Sequence, residues 1–418
     1  MDKVIHTMLQ PPVLSARLER WLRKKSQQES TFGQKETDLM FPSKFPDMAT
    51  TIFTKMTSMA NEYKAVNVSQ GFPDFGPPQE LIDHIALQLR KHHHQYAPMP
   101  GLPALQSAIA ELHHRTRGEL IDPDSEITIT AGATQGLFAA IAALVRDGDE
   151  VIVLAPAYDS YAPATQLMGA RVKEIHLNDD FSLPIEQLKQ NISPTTRLII
   201  VNNPHNPSGA CLSHDELMQL QALSMQHKQL WFLFDEVYQH LVFDGRTHHS
   251  ALMYPELRKK SACVFSFGKS LNATGWKVGY IVAHEYYTRE IRKIHQYEVF
   301  AVNSFLQSAL ADFLPVFDPS DIAAQIQSGR DLLQNLMGSS RFIPLPARGG
   351  YFQLYDYSQI SDESDMAFTE RLIREQGVAT IPVSAFYQKP PKNQYLIRIC
   401  FAKKPETLQL AAERLKNL

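Results

Sequence analysis

A lysine stands just past an apolar run, in the segment SFGKSLNATGWKVGY at residues 266–280. The run ACVFSF, residues 262–267, predicts a buried strand, so Lys269 would lie where sheet enzymes place their ligands. Partial desolvation there lowers the pKa of a lysine amine and makes it a nucleophile that forms Schiff bases. Ser266 and Lys277 lie close in sequence and could bind a phosphate. Taken alone, the segment is explained more simply as a loop with two solvated lysines.

A carboxylate ends another apolar run, in FLFDEVYQHLVF at residues 232–243. Tyr238 follows Asp235 by three residues, so one turn of helix would bring both side chains to one side. A buried carboxylate is unfavourable unless it is paired, and a protonated pyridine nitrogen could be its partner. A helix-capping aspartate fits the same pattern equally well.

Two loops offer polar groups to an anion. In TAGATQGLFAAIAALV, residues 130–145, a loop of small residues leads into an apolar helix, so the N–H groups of Ala133 and Thr134 form an anion site. In NNPHNPSG, residues 202–209, two prolines fix the backbone and would present Asn202 and Asn206 at the edge of a sheet. An amide there can donate to a phenolate or carboxylate oxygen, although a simple Asx–Pro turn has the same sequence.

An arginine interrupts the apolar run LIRICF at residues 396–401. A buried guanidinium needs a partner, and its fork matches a carboxylate, so Arg398 could bind a substrate carboxylate or form a structural ion pair. The run His92, His93 and His94 is interpreted as a solvated helix end, because no cysteine or carboxylate cluster accompanies it. We therefore expect no metal site.

The apolar runs predict how these residues are positioned. Runs at residues 150–154, 197–201, 230–234, 262–267 and 278–283 are typical of strands buried on both faces. Helical patterns lie between several of them, for example at residues 134–145 and 214–225. This alternation predicts an α/β fold with a mostly parallel sheet between helices. After about residue 310, longer helical stretches surround strands at 351–355 and 395–401, which predicts a second, α+β domain.

Composition excludes several classes of protein. The chain has 418 residues, which suits one large and one smaller domain, and its net charge of −3 favours neither nucleic acid nor an anionic membrane. Its three cysteines, Cys211, Cys263 and Cys400, are far apart, which predicts a reducing, cytoplasmic location. No apolar run approaches the roughly 18 residues of a membrane span. Residues 1–44 form an extension of unassigned role, interpreted as a surface arm or a partly disordered segment.

From about residue 45 to the end, these pieces together resemble the class I/II, fold type I, aminotransferases. The order of Asn-Pro loop, Asp-x-x-Tyr, Ser-x-x-Lys and late arginine is specific. The segments VSQGFPDFGPP, QYAPMPG, APAYDSYAP, TGWKVGY and KIHQYEVF look like the methionine and kynurenine/glutamine branch, and most like its bacterial methionine aminotransferases.

The resemblance implies pyridoxal 5'-phosphate, with Lys269 as its covalent anchor and as the proton carrier. Asp235 would keep the pyridine nitrogen protonated. The other cofactor contacts would come from Ala133, Thr134, Tyr158, Asn206, Tyr238, Ser266 and Lys277, with Tyr96 from a second subunit. The substrate carboxylate would meet Gly71, Asn206 and Arg398, and Phe300 from the second subunit would line the side-chain pocket.

The resemblance also implies an architecture. A seven-stranded large domain would span residues 74–311, and a small domain would combine residues 45–73 and 312–418. The active sites would lie at the interface of a homodimer. One departure from the branch is Ser304-Phe305, where a proline–threonine pair is usual.

The implied activity is ping-pong transfer of an amino group from an amino acid to a 2-oxo acid. The expected pocket walls are aromatic, from Tyr96, Tyr158, Tyr161 and Phe300, and no second arginine is evident. Methionine, aromatic amino acids, glutamine, kynurenine or leucine are therefore expected donors rather than aspartate.

Three other functions are alternatives to aminotransfer. A pyridoxal-phosphate-dependent cysteine-conjugate β-lyase needs the same motifs and stays open. A DNA-binding regulator is disfavoured because the residues before 45 are too few for a helix-turn-helix domain with a linker. A dinucleotide enzyme is disfavoured because no G-x-G-x-x-G follows a first strand.

Overall fold

The structure, a computed structural model, describes residues 43–46, 48, 50–91 and 94–418. Residues 50–418 group together as one structural unit. Of the predicted extension, residues 1–44, all but residues 43 and 44 lie outside the described residues, as do His92 and His93.

Strands and helices alternate through most of this unit. Its thirteen described strands are β1 (Val66–Asn67), β2 (Ile127–Thr130), β3 (Glu150–Ala155), β4 (Arg171–His176), β5 (Thr196–Asn202), β6 (Trp231–Asp235), β7 (Ser261–Ser266), β8 (Gly279–Ala283), β9 (Ile343–Pro344), β10 (Phe352–Asp356), β11 (Val378–Ala379), β12 (Ile381–Pro382) and β13 (Leu396–Cys400).

The fifteen described α-helices are α1 (Ile52–Glu62), α2 (Gln79–Arg90), α3 (Pro103–Arg117), α4 (Pro123–Glu126), α5 (Ala133–Leu144), α6 (Tyr161–Leu167), α7 (Ile185–Asn191), α8 (His214–Gln226), α9 (Pro255–Arg258), α10 (Phe267–Ser270), α11 (Glu285–Glu298), α12 (Ser304–Phe313), α13 (Pro319–Met337), α14 (Asp365–Arg371) and α15 (Pro405–Leu415).

One seven-stranded sheet fixes the direction of the segments that carry the candidate residues. Its order is β2-β8-β7-β6-β5-β3-β4. Strand β8 runs antiparallel to both of its neighbours, and the other neighbouring pairs are parallel. Six strands therefore end at the same edge of the sheet, and the reversed strand β8 begins there.

Successive residues of the central strands point into two apolar cores, one on each face of the sheet. Ile200 and Leu233 pack in the core that also contains residues of α5 and α11. Ile199 and Phe232 pack in the core on the opposite face. The prediction of strands buried on both faces, and of a mostly parallel α/β sheet, is confirmed.

The chain after residue 310 forms a second, antiparallel sheet with the order β12-β13-β10-β9. In its register Arg398 of β13 lies opposite Leu354 and Ile381. A short parallel pair joins Val66 of β1 to Val378 of β11, so the segment before the large sheet associates with the end of the chain. The division into residues 74–311 against 45–73 and 312–418 stays a prediction. None of the described helices is both long and apolar enough to cross a membrane.

Replacing Ile199 by alanine should lower the free energy of unfolding by about 2–5 kcal/mol, because truncating this buried side chain would leave a cavity in the core on one face of the sheet. The matched change Ile343→Ala, at a 43% exposed side chain on strand β9, should cost less than about 1 kcal/mol. Urea unfolding followed by circular dichroism measures both. Equal losses from the two changes would contradict this placement of the core.

Candidate active site

A cavity of about 360 Å³ lies at the edge where the six strands end. Asn202 and eleven of the thirteen residues to which the resemblance assigns cofactor or substrate contacts line it, the eleven being Gly71, Ala133, Thr134, Tyr158, Asn206, Asp235, Tyr238, Ser266, Lys269, Lys277 and Arg398. The other two, Tyr96 and Phe300, lie elsewhere on the surface.

Strand direction explains why residues so far apart in sequence meet at this cavity. Asp235 is the last residue of β6 and Ser266 the last residue of β7. Lys277 shortly precedes β8, whose reversed direction places its amino end at the same edge. Ligands of α/β sheets commonly bind at such an edge.

The start of helix α5 and Lys277 together form an anion cradle. Gly132 precedes the helix with φ +78°, a conformation that favours glycine. A Cβ atom on Gly132 would lie 3.1 Å from Cε and 3.2 Å from Nζ of Lys277, so glycine permits the close approach of the ammonium. Lys277 itself adopts φ +55°. The free N–H groups of the first helical turn and this ammonium present positive charge to the cavity.

The Lys269 amine is held by groups from three distant segments. Its Nζ donates to the carbonyl oxygen of Gly71 at 2.7 Å. The ring centroids of Tyr238 and Tyr351 lie 5.7 Å and 5.4 Å from Nζ. The Tyr351 hydroxyl donates to the Lys269 carbonyl at 2.7 Å, which fixes the backbone of the lysine. Desolvation lowers the pKa of the amine to about 8, so a substantial share of it is neutral at mildly alkaline pH.

The Asp235 carboxylate is buried and receives two hydrogen bonds. The Tyr161 hydroxyl donates to Oδ2 at 2.6 Å and the Val237 N–H donates to Oδ1 at 3.4 Å. Burial raises the pKa of Asp235 to about 6, and the hydrogen bond from Tyr161 opposes that rise. The group is therefore mostly charged at neutral pH and lies in an apolar environment that favours a cationic partner.

The Arg398 guanidinium is 1% exposed and only partly satisfied. Its two terminal nitrogens donate to Asn206 Oδ1 and to the Ser69 carbonyl, each at 2.8 Å. Among the described residues its Nε has no hydrogen-bond partner. Burial lowers the pKa of the guanidinium to about 10. A buried cation that retains an unpaired donor and borders a cavity is suited to bind an anion there.

Three phenylalanine rings enclose this guanidinium. Its Cζ lies 3.8 Å from the ring centroid of Phe352, 5.1 Å from that of Phe386 and 5.4 Å from that of Phe53. Cation–π attraction partly compensates for the loss of water around Arg398. The rings also limit the directions from which a carboxylate can approach.

Tyr96 and Phe300 do not line the cavity. Their side chains are 83% and 45% exposed, and their ring centroids lie 5.3 Å apart in an edge-to-face contact. Phe300 has φ +68°, a backbone conformation that is unfavourable for an aromatic residue. Within this single chain neither ring reaches Lys269, so their predicted roles depend on a second subunit.

Two sequence predictions were wrong in detail. Tyr161 was expected to line the side-chain pocket, but it is 3% exposed and its hydroxyl binds Asp235, because helix α6 begins at this residue and directs it under the carboxylate. A turn of helix was expected to bring Asp235 and Tyr238 together, but residues 237–240 form turns. Both side chains still border the cavity.

Several residues of the cavity were missed by the sequence interpretation. Phe53, Gln70, Phe72 and Phe352 line it, and Tyr351 holds the Lys269 backbone without lining it. Aromatic residues of this kind have the same sequence pattern as core residues. The motif GFPDF at residues 71–75, next to Gly71, was the available signal for Phe72.

Known proteins were compared with this chain. The family described as aminotransferase class I and II matches residues 63–415. The methionine aminotransferase of Escherichia coli K12 is 45% identical over 379 residues, which are 90% of this chain and 98% of that protein. The kynurenine–oxoglutarate transaminase 1 of Mus musculus is 32% identical over 399 residues, which cover 87% of this chain and 94% of the mouse protein.

A solved structure gives the same result for the fold. A crystal structure from Escherichia coli, whose report identifies a methionine aminotransferase function, superimposes with a TM-score of 0.88 at 45% identity and covers 91% of this chain and 100% of that chain. The seven-stranded sheet with its flanking helices is therefore the fold type I arrangement expected from the sequence. Since the family match and these relatives extend over most of its length, the chain belongs to the class I and II aminotransferases.

Proposed function

We propose that this aminotransferase uses pyridoxal phosphate to transfer the amino group of apolar and aromatic L-amino acids, methionine among them, to a 2-oxo acid. One observation carries the choice of substrate. Among the described residues that line the cavity, Arg398 is the one guanidinium, the rings of Phe53 and Phe352 lie close to it, and Phe72 also lines the cavity. One carboxylate can thus be bound at Arg398, while a second would enter an apolar region.

The residues of the cavity fit the proposed cofactor. The cradle at Gly132 and Lys277 suits a phosphate, and the buried Asp235 carboxylate suits a protonated pyridine nitrogen. Thr134 and Ser266 add donors near the phosphate, and Tyr158 offers a ring face. Tyr238 and Asn206 would donate to the phenolate oxygen. When bound, pyridoxal phosphate supplies the electron sink that stabilises negative charge at the substrate's α-carbon.

Lys269 is the proposed covalent anchor and proton carrier. A base works best when its pKa lies near the operating pH, and desolvation brings this amine to about 8. The Gly71 carbonyl and two aromatic rings hold the amine in place, so it can accept a proton from the α-carbon with little rearrangement.

Asp235 would orient the cofactor, and Arg398 would orient the substrate on which Lys269 acts. The charged Asp235 would keep a proton on the facing nitrogen, because an adjacent negative charge stabilises a cation. Arg398 would hold the substrate carboxylate, with Asn206 beside it and the Gly71 backbone nearby. Fixing the carboxylate limits which substituent of the α-carbon can face Lys269.

A homodimer would complete the site. Tyr96, whose exposed ring meets that of Phe300 edge to face, borders a groove that also includes Val302 and Phe305. A second copy would cover these rings and could bring them to its own cavity. Exposed aromatic clusters of this kind are common in interfaces. The cytoplasmic location, expected from the cysteine pattern, stays a prediction.

A panel of amino donors tests the substrate class. With a 2-oxo acid acceptor, kcat/KM for methionine and phenylalanine should exceed that for aspartate by a factor of about 100 or more, because the distal carboxylate of aspartate would be desolvated without a partner. Arg398→Gln should weaken all donors alike. Efficient aspartate turnover would contradict the proposal, and so would release of pyruvate and ammonia from cysteine conjugates that outpaces transamination.

The proton-carrying role of Lys269 predicts that its amine loses a proton at mildly alkaline pH. Competitive acetylation of the cofactor-free protein, followed by peptide mass spectrometry, should give Lys269 a pKa near 8, because desolvation disfavours the ammonium. Labelling should be slow at lower pH, where the amine is protonated, and reach its plateau above pH 9. The Lys269→Ala protein identifies the labelled peptide. A pKa near the ordinary 10.5 would contradict the assignment.

Tyr161→Phe should shift the acid limb of the pH profile. The change removes a hydrogen bond that lowers the pKa of Asp235, so that pKa should rise above its value in the unmodified enzyme, and kcat/KM should begin to fall at a higher pH. Tyr355→Phe is the matched control, because its buried hydroxyl has no hydrogen-bond partner among the described residues. Identical acid limbs in both variants would argue against the role of Tyr161.

A further inference from the structure

The loop at residues 70–75 borders the cavity through residues 70–72. Several of its residues form hydrogen bonds with segments that are distant in sequence. The Gln70 amide donates to the Phe53 carbonyl at 3.0 Å and to the Thr57 hydroxyl. The Gly71 carbonyl accepts from the Lys269 amine. The Asp74 carboxylate accepts from the Lys404 N–H and the Thr407 hydroxyl, each at 2.6 Å. Backbone and side-chain hydrogen bonds therefore hold this loop against three segments that are distant in sequence.

Lys403 holds the centre of the loop from outside the cavity. Its side chain is 6% exposed, and its ammonium donates to the Phe72 carbonyl at 2.7 Å. The same ammonium lies 4.8 Å from the centroid of the Phe72 ring. Among the described residues no carboxylate forms an ion pair with it. A buried ammonium without a carboxylate depends strongly on such a carbonyl and ring, so Lys403 and Phe72 constrain each other.

The Phe72 ring differs from the other phenylalanine rings of the cavity. Phe352 is 2% exposed and covers Arg398, whereas Phe72 is 46% exposed although its backbone is fixed. Phe72 thus lines the cavity and retains unburied apolar area. A ligand side chain that covers this area gains binding free energy in proportion to the area removed from water.

We propose that the side chain of the amino donor packs against the Phe72 ring, and that Lys403 is the positioning residue that fixes the location of this ring. This specificity role rests on the proposed function. A long apolar side chain reaches the ring, while the methyl group of alanine covers little of it. Loss of Lys403 should then penalise methionine and phenylalanine and spare alanine.

Binding of unreactive carboxylates to the holoenzyme tests this role without turnover. In Lys403→Met, calorimetry should show 3-phenylpropanoate bound about tenfold more weakly, the effect of losing one hydrogen bond to a charged group, and propanoate bound within about twofold of wild type. The ratio of kcat/KM for methionine to that for alanine should fall by a similar factor. Lys416→Met, which removes an exposed lysine at the far end of helix α15, should leave both ligands and the ratio unchanged.

Two further variants separate positioning from general damage. Lys403→Arg retains a cationic donor and should restore at least part of the selectivity, and Phe72→Ala should reproduce the selective loss. Equal weakening of both carboxylates in Lys403→Met, or an unchanged ratio in Phe72→Ala, overturns the inference. If Lys403→Met does not fold, the Phe72→Ala ratio decides. Failure of the wild-type enzyme to transaminate methionine would instead refute the proposed function, since the carboxylate binding needs no turnover.

Discussion

The shared direction of six strands in the seven-stranded sheet controls where Asp235, Ser266 and Lys277 lie at the cavity. Parallel neighbours must end at a common edge, and the single reversed strand, β8, must begin there. Asp235 and Ser266 therefore meet Lys277 although up to 42 residues separate them in sequence, counting from 235 to 277. The two apolar cores on the faces of the sheet prevent a strand from slipping by one residue, since a slip would turn its buried side chains to the wrong face.

Desolvation acts on the charged groups of the cavity with different consequences. It lowers the pKa of Lys269 to about 8 and raises that of Asp235 to about 6, so both values move toward neutrality. The pKa of Arg398 falls only to about 10, and that group stays a cation at neutral pH. One apolar environment thus yields an amine that can exchange protons, a carboxylate that stays mostly charged and a fixed anion-binding cation.

Much of the site was predictable from the sequence, because a charged residue at the end of an apolar run signals both a strand and its edge. Lys269 and Asp235 carry this signal, whereas Arg398 was recognised because it interrupts an apolar run, and all three border the cavity. Aromatic residues do not carry it. Tyr161 was assigned to a wall of the pocket although it supports Asp235 from beneath, and Phe72 was overlooked, because an apolar ring looks the same in sequence whether it lies in a core or at a cavity.

The backbone of Lys269 is fixed by the Tyr351 hydroxyl, while its side chain ends at an acceptor, the Gly71 carbonyl, that belongs to a distant loop. The anchor of the amine is thus stationary, and the methylenes between anchor and amine are its only freedom. Rotation about these methylene bonds, rather than movement of the backbone, determines which atoms the amine can reach. Under the proposed function, one lysine with a stationary backbone would therefore reach two neighbouring atoms in turn, and no second base would be needed.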